Sequence, residues 1–212
     1  MVWNEPVGVV TISAPYGARG REVGTAVAEQ LGLVFLDRAI PAAVARQLNI
    51  SEEEAEDLDE RAPSLWKRFM SAFANVGPIG GATALGIEAL QSPDDYRLAT
   101  EAVLRRTADT TGAVVLGRAA MVILGGRPDV LCVRLDGPVE ARIAHMVAEG
   151  TDETAARQAQ QDLDRSREAF ARLFYNVHQE DPRLYHLMLD TTALPLATCI
   201  EIVVAAARAR FA

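Results

Sequence analysis

The sequence predicts an α/β protein in which a central parallel sheet of five strands lies between two layers of helices. Short apolar runs alternate along the chain with longer segments whose apolar residues recur at helical spacing. The apolar runs are nearly continuous, which is typical of parallel strands buried on both faces. Apolar residues make up 50% of the 212 residues, so a sizeable core can be filled. In such a fold, ligands bind at the carboxyl ends of the strands.

The first strand is predicted at residues 7–13, a β-branched run that ends in the loop APYGARG. The segment REVGTAVAEQL follows with apolar residues at helical spacing, so that strand, loop and helix succeed one another. A second short strand is predicted at residues 33–36. Asp37 follows it directly, and is either the cap of a helix that runs through Leu48 or part of a ligand site.

Residues 38–110 are predicted to form a helical insert. The pattern breaks at NVGPIGGA, where glycines and Pro78 forbid a continuous helix. We expect residues 62–110 to move relative to the sheet, because GPIGGA contains the flexible positions that such a motion needs. The alternative is a rigid insert that forms a homodimer contact through an apolar helical face shared by Trp66, Phe69 and Phe73.

The second half of the chain is predicted to complete the sheet. Further strands are predicted at residues 113–116, 129–135 and 185–189. Thr151 with Thr154 opens a long polar helix that runs to about residue 179, and residues 196–210 form a last helix. Since no composition break marks a boundary, we expect a single domain over residues 1–212.

The charge balance argues against a general grip on polyanions. Lys and Arg number 21 and Asp and Glu number 29, which gives a net charge of -8. We therefore expect neither a nucleic acid polymer nor a membrane as partner. The N-terminal segment has no signal-peptide pattern, and Cys132 and Cys199 lie in apolar stretches typical of buried reduced thiols. These features favour a cytoplasmic protein.

The loop between the first strand and the first helix is the most informative segment. A glycine-bearing turn at this place surrounds an anion with backbone N–H groups and a helix N-terminus. The phosphate-loop template G-x-x-x-x-G-K-[ST], laid on Ala14 to Arg21, is met at none of its four fixed positions, since they hold Ala14, Arg19, Gly20 and Arg21. From the pattern alone, the segment is either a phosphate site or a structural turn.

Five motifs in a fixed order resemble the cytidylate kinase-like branch of the P-loop nucleoside monophosphate kinases. They are TISAPYGARGRE, FLDR at residues 35–38, LGR at residues 116–118, DLDRSREAF, and YHLMLDTTALPL. The first is similar to the family's opening I-S-x-x-x-G-S-G-G-R-E, with Arg19 in place of a glycine. The fourth looks like the arginine-bearing lid, and the likeness extends over nearly the whole chain.

The resemblance implies a P-loop kinase-like domain with a core of residues 1–37 and 111–212. It also implies an acceptor-side insert at about 38–110 and a lid at about 152–180. The implied activity is ATP-dependent phosphoryl transfer to a pyrimidine nucleoside monophosphate such as CMP, with ATP and Mg²⁺ as cofactors and nucleotides as substrates. Such a reaction requires positioning of the phosphates and neutralisation of their charge, which cations and backbone amides provide.

The resemblance also implies site residues. Those for ATP are Ser13, Tyr16, Gly17, Ala18, Arg19, Gly20, Arg21 and Glu22. Catalytic roles fall to Arg21, Asp37, Arg118, Asp164, Arg165 and Arg167. The acceptor phosphate falls to Arg38, Arg118 and Arg142, because arginine binds phosphate bidentately.

Several of these residues also have a simpler interpretation. Asp164 with Arg167, and Glu168 with Arg172, are spaced as surface ion pairs on a helix. Tyr16 either stacks on a base or packs. The three histidines, His145, His178 and His186, have no metal-ligand spacing, and the sequence leaves the metal ligands unknown.

The missing lysine leaves three functions open. Arg19 or Arg21 replaces the charge of the lysine in a working kinase, or the protein is a noncatalytic nucleotide sensor or interaction module, or it is a kinase for another small acceptor. No Ser or Thr stands at position 21 to hold Mg²⁺, and the third strand offers no acidic residue.

Overall fold

A computed structural model of the chain describes residues 8–37 and 93–212. The strands are β1 (Val9–Ser13), β2 (Val34–Leu36), β3 (Ala113–Leu116), β4 (Val130–Asp136) and β5 (Leu187–Asp190). They form one parallel sheet in the order β2-β3-β1-β4-β5. β1 is central, and its Val9 is in register with Ala113 of β3 and Val130 of β4. The loops that follow β1 and β3 therefore emerge side by side at one edge of the sheet.

The described helices occupy the connections between these strands. They are α1 (Gly20–Leu31), α2 (Pro93–Thr110), α3 (Ala120–Leu124), α4 (Val139–Ala148), α5 (Glu153–Tyr175) and α6 (Leu196–Phe211). A 3-10 turn at Pro182–Leu184 precedes β5. The order confirms the three-layer α/β fold predicted from the sequence.

The core has two halves, one on each face of the sheet. Successive strand residues point to opposite faces, so Val9 and Val10 of β1 belong to different halves. The Val10 side packs against apolar residues of α1 and α6, and the Val9 side packs against α2, α3 and Phe170 of α5. All five residues of β1 are buried, which explains why its sequence is a continuous apolar and hydroxyl run rather than an alternating one.

Some predicted boundaries were wrong. Asp152, not Thr151, caps α5, because its carboxylate accepts a hydrogen bond from the amide of Ala155 at 3.1 Å. The last strand begins at Leu187 rather than at residue 185, since the preceding 3-10 turn delays it. Of the predicted insert, only α2 lies within the described residues; the hinge at NVGPIGGA and the apolar face of Trp66, Phe69 and Phe73 lie outside them.

The two cysteines and the apolar character of the helices bear on further features of the sequence. Cys132 and Cys199 are both buried and free, as predicted, and burial raises the pKa of each thiol. Among the helices of the described residues, none combines the length and the apolar character needed to cross a bilayer.

Candidate active-site cleft

A cleft of about 380 Å³ opens at the carboxyl ends of β1 and β3. Its floor is the β1–α1 loop (residues 14–19), and its walls come from the segment after β3 and from α4 and α5. Basic residues predominate among its charged side chains. The cationic residues that line it are Arg19, Arg21, Arg118 and Arg167, with His145 beside them.

The β1–α1 loop is shaped by two residues in the left-handed region. Gly17 has φ 76°, and a Cβ there would lie 2.5 Å from the carbonyl oxygen of Arg142, so this position requires glycine. Arg19 has φ 55° and immediately precedes α1. A non-glycine residue in this conformation is uncommon, and such backbone strain clusters at ligand sites.

The start of α1 provides backbone donors at the floor of the cleft. The amide of Val23 donates to the carbonyl of Arg19 at 3.0 Å, which is the first hydrogen bond of the helix. The amides of Gly20, Arg21 and Glu22 come before it, so helix geometry gives them no acceptor within α1. Together with the helix dipole, such amides form a site for an anion.

A half-buried network of hydrogen bonds and one ion pair, which we call the loop latch (Tyr16, Arg142 and Asp164), ties this loop to α4 and α5. The amide of Tyr16 donates to Asp164 Oδ1 at 2.8 Å, and Arg142 Nη1 donates both to the carbonyl of Tyr16 at 2.5 Å and to Asp164 Oδ2 at 3.0 Å. Only 5% of the Arg142 side chain is exposed, and its Nε also donates to the carbonyl of Gly137. The latch therefore holds the backbone of Tyr16 through two hydrogen bonds: its amide donates to Asp164 and its carbonyl accepts from Arg142.

Arg167 lies one turn further along α5 and faces the cleft. Its Nη1 donates to the carbonyl of Ala14 at 3.0 Å and lies 3.5 Å from Asp164 Oδ1. Gln179 packs beside it, since its side-chain amide donates to the carbonyl of Arg167 and its Oε1 accepts from the hydroxyl of Ser13. Arg167 of the predicted surface ion pair is thus part of the wall of the cleft, whereas Asp164 lies behind the loop.

Arg21 and Asp37 form an ion pair across the mouth of the cleft. The guanidinium of Arg21 is largely exposed, whereas the carboxylate of Asp37 is 13% exposed. This places a cation on the first turn of α1 and a half-buried carboxylate directly after β2.

Arg118 follows β3 in a strained backbone. It and Ala119 have φ angles of 62° and 51°, and the amide of the preceding Gly117 donates to the carbonyl of Ile12 at 2.8 Å. Only 9% of Arg118 is exposed, and it lines the cleft. The cleft is thus lined by two arginines whose backbone is in the left-handed region. Arg19 lies in the loop after β1, and Arg118 lies in the segment after β3.

The sequence did not predict the group at the rim of the cleft, where α4 meets the start of α1. His145 lies within 3.6 Å of carboxylate oxygens of both Glu22 and Glu149, and Arg19 contacts its ring. His145 and Glu149 are four residues apart, which places them on one face of a helix. That spacing was visible in the sequence, but nothing in it indicated that this face meets α1.

The structure brings most of the predicted residues together. Those that line the cleft are Ser13, Tyr16, Gly17, Arg19, Gly20, Arg21, Glu22, Asp37, Arg118 and Arg167. Ala18, which belongs to the same loop, is fully buried. Arg142 and Asp164 instead line a smaller adjoining cleft behind the loop, and Arg165 is exposed and lines neither. Arg38 lies outside the described residues.

The residues at the loop do not fit the usual magnesium pattern. Mg²⁺ prefers oxygen ligands, and P-loop enzymes supply a hydroxyl directly after the loop lysine. Here that position is Arg21, whose guanidinium pairs with Asp37. The hydroxyl of Ser13, at the end of β1, is buried and donates to Gln179. We therefore derive no step through a magnesium ion held by this loop.

Comparison of the sequence with protein families shows which family the chain belongs to. The family model described as the cytidylate kinase-like family matches residues 9–193. The chain belongs to the cytidylate kinase-like family. The match includes β1, the cleft and every strand of the sheet, so the family's P-loop kinase-like fold and the fold seen here agree. No curated protein matches the chain.

This chain is similar in fold to solved structures with which it shares little sequence identity. An uncharacterized protein from Eubacterium ventriosum ATCC 27560 is 16% identical, with a TM-score of 0.65 over 94% of this chain and 98% of that chain. A gluconokinase from Sinorhizobium meliloti 1021 is 18% identical, with a TM-score of 0.51 over 97% of this chain and 94% of that chain. At such identities the likeness describes the fold.

Proposed function

We propose that the protein catalyses ATP-dependent phosphoryl transfer to a pyrimidine nucleoside monophosphate such as CMP. The γ-phosphoryl group of ATP would pass to a phosphate oxygen of the acceptor and leave ADP. The single observation that carries the proposal is the convergence of four arginines and the first amides of α1 on one cleft. Phosphoryl transfer depends mainly on positioning and on neutralising phosphate charge, which is what such a cleft offers.

We assign the donor phosphates to the floor of the cleft. The amides at the start of α1 would bind them, and Arg21 would supply the charge that a loop lysine supplies elsewhere. Its exposed guanidinium and its salt bridge to Asp37 support this assignment, because the pair holds Arg21 at the mouth of the cleft. Asp37 would thereby act as a positioning residue.

We assign the acceptor phosphate to Arg118 and the transferred group to Arg167. Arg118 is nearly buried at the end of β3, so its guanidinium binds an anion with less competition from water. Arg167 is on α5, beside the loop, where closure of a lid would bring it to the phosphates. The contacts of Arg142 within the loop latch argue for a supporting rather than an acceptor-binding role.

One observation favours a second candidate, a noncatalytic nucleotide-binding module. The loop carries Gly20 and Arg21 where the phosphate-loop template carries lysine and a hydroxyl residue. A protein of this kind would bind ATP and release it unchanged.

Coupled assays of ADP release, with ATP and a panel of CMP, dCMP, UMP, AMP and gluconate, distinguish the two candidates. The kinase proposal expects turnover with the pyrimidine monophosphates. Arg167→Ala should lower kcat by on the order of a hundredfold while the affinity for ATP changes only a few-fold, because an arginine acting in the transition state contributes little to ground-state binding.

A matched control lies on the same helix. Arg172 is exposed on α5 and lines neither cleft, so Arg172→Ala should keep the wild-type kcat. ATP binding without turnover on any acceptor would favour the noncatalytic module. Turnover on gluconate alone would reject the nucleotide acceptor and retain phosphoryl transfer.

A further inference from the structure

Three side chains at the rim of the cleft have the arrangement of a metal site. They are Glu22, His145 and Glu149, and one ligand atom from each lies within 4.8 Å of the others. Each of the two carboxylates has an oxygen 3.6 Å from His145 Nε2. Glu22 lies in the first turn of α1, whereas His145 and Glu149 lie in the last turn and at the end of α4.

The spacing differs from that of a hydrogen-bonded cluster. An N–H···O hydrogen bond joins atoms about 2.7–3.2 Å apart, which is shorter than both distances from His145 Nε2. Two ligands that each lie about 2.0–2.2 Å from a common ion at a tetrahedral angle are roughly 3.4 Å apart. The observed 3.6 Å from His145 Nε2 to each carboxylate oxygen is close to that separation.

Arg19 also contacts the ring of His145. Arg19 Nε donates a hydrogen bond to His145 Nε2 at 3.2 Å, and Arg19 Nη2 lies 3.2 Å from His145 Nδ1. A metal ion bound at Nε2 would therefore take the place of the hydrogen bond from Arg19 Nε, because Nε2 has a single lone pair.

We propose that Glu22, His145 and Glu149 bind a divalent transition-metal ion, with Zn²⁺ the best fit. One imidazole and two carboxylates suit Zn²⁺ and Mn²⁺, whereas Mg²⁺ prefers oxygen ligands alone. Three protein ligands leave a coordination position open. This proposal does not depend on the nucleotide function, because it concerns the ion and these residues only.

The charge of the surroundings bears on what completes the site. The two carboxylates and the guanidinium of Arg19 sum to one negative charge, and a divalent ion would turn this into one positive charge. The three ligand residues line the same cleft as the start of α1. An anionic group in the cleft would therefore meet the open metal position, Arg19 and the amides of α1 together.

The test is a Zn²⁺ titration of the purified full chain against a chromophoric zinc chelator, combined with ¹⁵N spectra of the histidine rings. Wild-type protein should bind one Zn²⁺ and shift the ring nitrogens of His145, and excess Mg²⁺ should not displace the ion. Glu149→Gln and His145→Gln should each weaken Zn²⁺ binding at least about tenfold, since even loss of an outer-shell partner lowers metal affinity by about 10–100-fold.

His178→Gln is the matched control, because within the described residues His178 has an ion pair with one carboxylate, that of Glu168 at 2.8 Å. It should bind Zn²⁺ like the wild type. Glu149 is half exposed at the end of α4, so its variant tests the site without disturbing the core. Equal Zn²⁺ affinity in wild type and Glu149→Gln, or an unshifted His145 ring, would overturn the proposal.

Discussion

Removal of the Asp164 carboxylate should loosen the β1–α1 loop and lower the free energy of unfolding. Asp164→Ala leaves the amide of Tyr16 without its acceptor and leaves Arg142, 5% exposed, without its carboxylate. A buried hydrogen bond to a charged group contributes about 1.5–3 kcal/mol, and breaking a fully buried ion pair costs about 3–5 kcal/mol. Because 21% of the Asp164 side chain is exposed, we expect a loss of about 2–4 kcal/mol.

Urea denaturation followed by circular dichroism measures this loss, and hydrogen exchange of the Tyr16 amide locates it. The amide should exchange faster in the variant, because the carboxylate that accepts its hydrogen bond is gone. Since the loop is the floor of the cleft, the KM for ATP should also rise.

Asp162→Ala is the matched control on the same helix. Asp162 is exposed and accepts a hydrogen bond from Gln158, so its loss should change stability by no more than about 0.5 kcal/mol. The reasoning fails if the two variants are equally stable, or if exchange of the Tyr16 amide is the same in Asp164→Ala as in the wild type.

Three further predictions concern packing and pH. Gly20→Ala should destabilise the protein by about 1–3 kcal/mol in urea denaturation, because a Cβ there would lie 2.7 Å from its nearest neighbour, whereas Gly126→Ala meets nothing within 4 Å and should be tolerated. Hydrogen bonds from Thr192 lower the pKa of Asp190, so its stabilisation is present above the ordinary aspartate pKa and is lost as pH falls through the lowered value. Asp190→Asn should therefore flatten stability against pH below about pH 4; an unchanged slope would contradict this. Burial lowers the pKa of His186, so stability should fall as pH drops below about 6.5, and His186→Gln should remove that part of the slope in thermal denaturation at stepped pH; a slope that persists in the variant would refute the assignment.

The sheet and the floor of the cleft were predictable because they are written in local sequence. β1 is a fully buried run, and a turn with Gly17 separates it from α1. Both features lie within a few consecutive residues of the sequence. The arginine after β3 was predictable for the same reason, since LGR comes directly after an apolar strand. The carboxyl ends of parallel strands lie at the same edge of the sheet. Residues that directly follow these strands therefore lie near one another, however the helices pack.

The roles of residues on α4 were not predictable in this way. Arg142 and His145 are three apart and share one face of that helix, and periodicity alone predicts this. What the face meets depends on how α4 packs against a loop more than a hundred residues earlier in the chain, where Arg142 contacts Tyr16 and His145 contacts Arg19. The family resemblance implies an acceptor-binding role for Arg142, which stays a prediction, whereas its contacts in the loop latch became visible only in the structure.

The central position of β1 also affects when the cleft can form during synthesis. Val9 pairs with Ala113 and with Val130, each about a hundred residues or more further along the chain. While the ribosome makes the intervening segment, β1 therefore lacks both of the strands that pair with it in the folded protein. Its two edges are paired only after β3 and then β4 have been made, and until then they are open to edge-to-edge association with other chains.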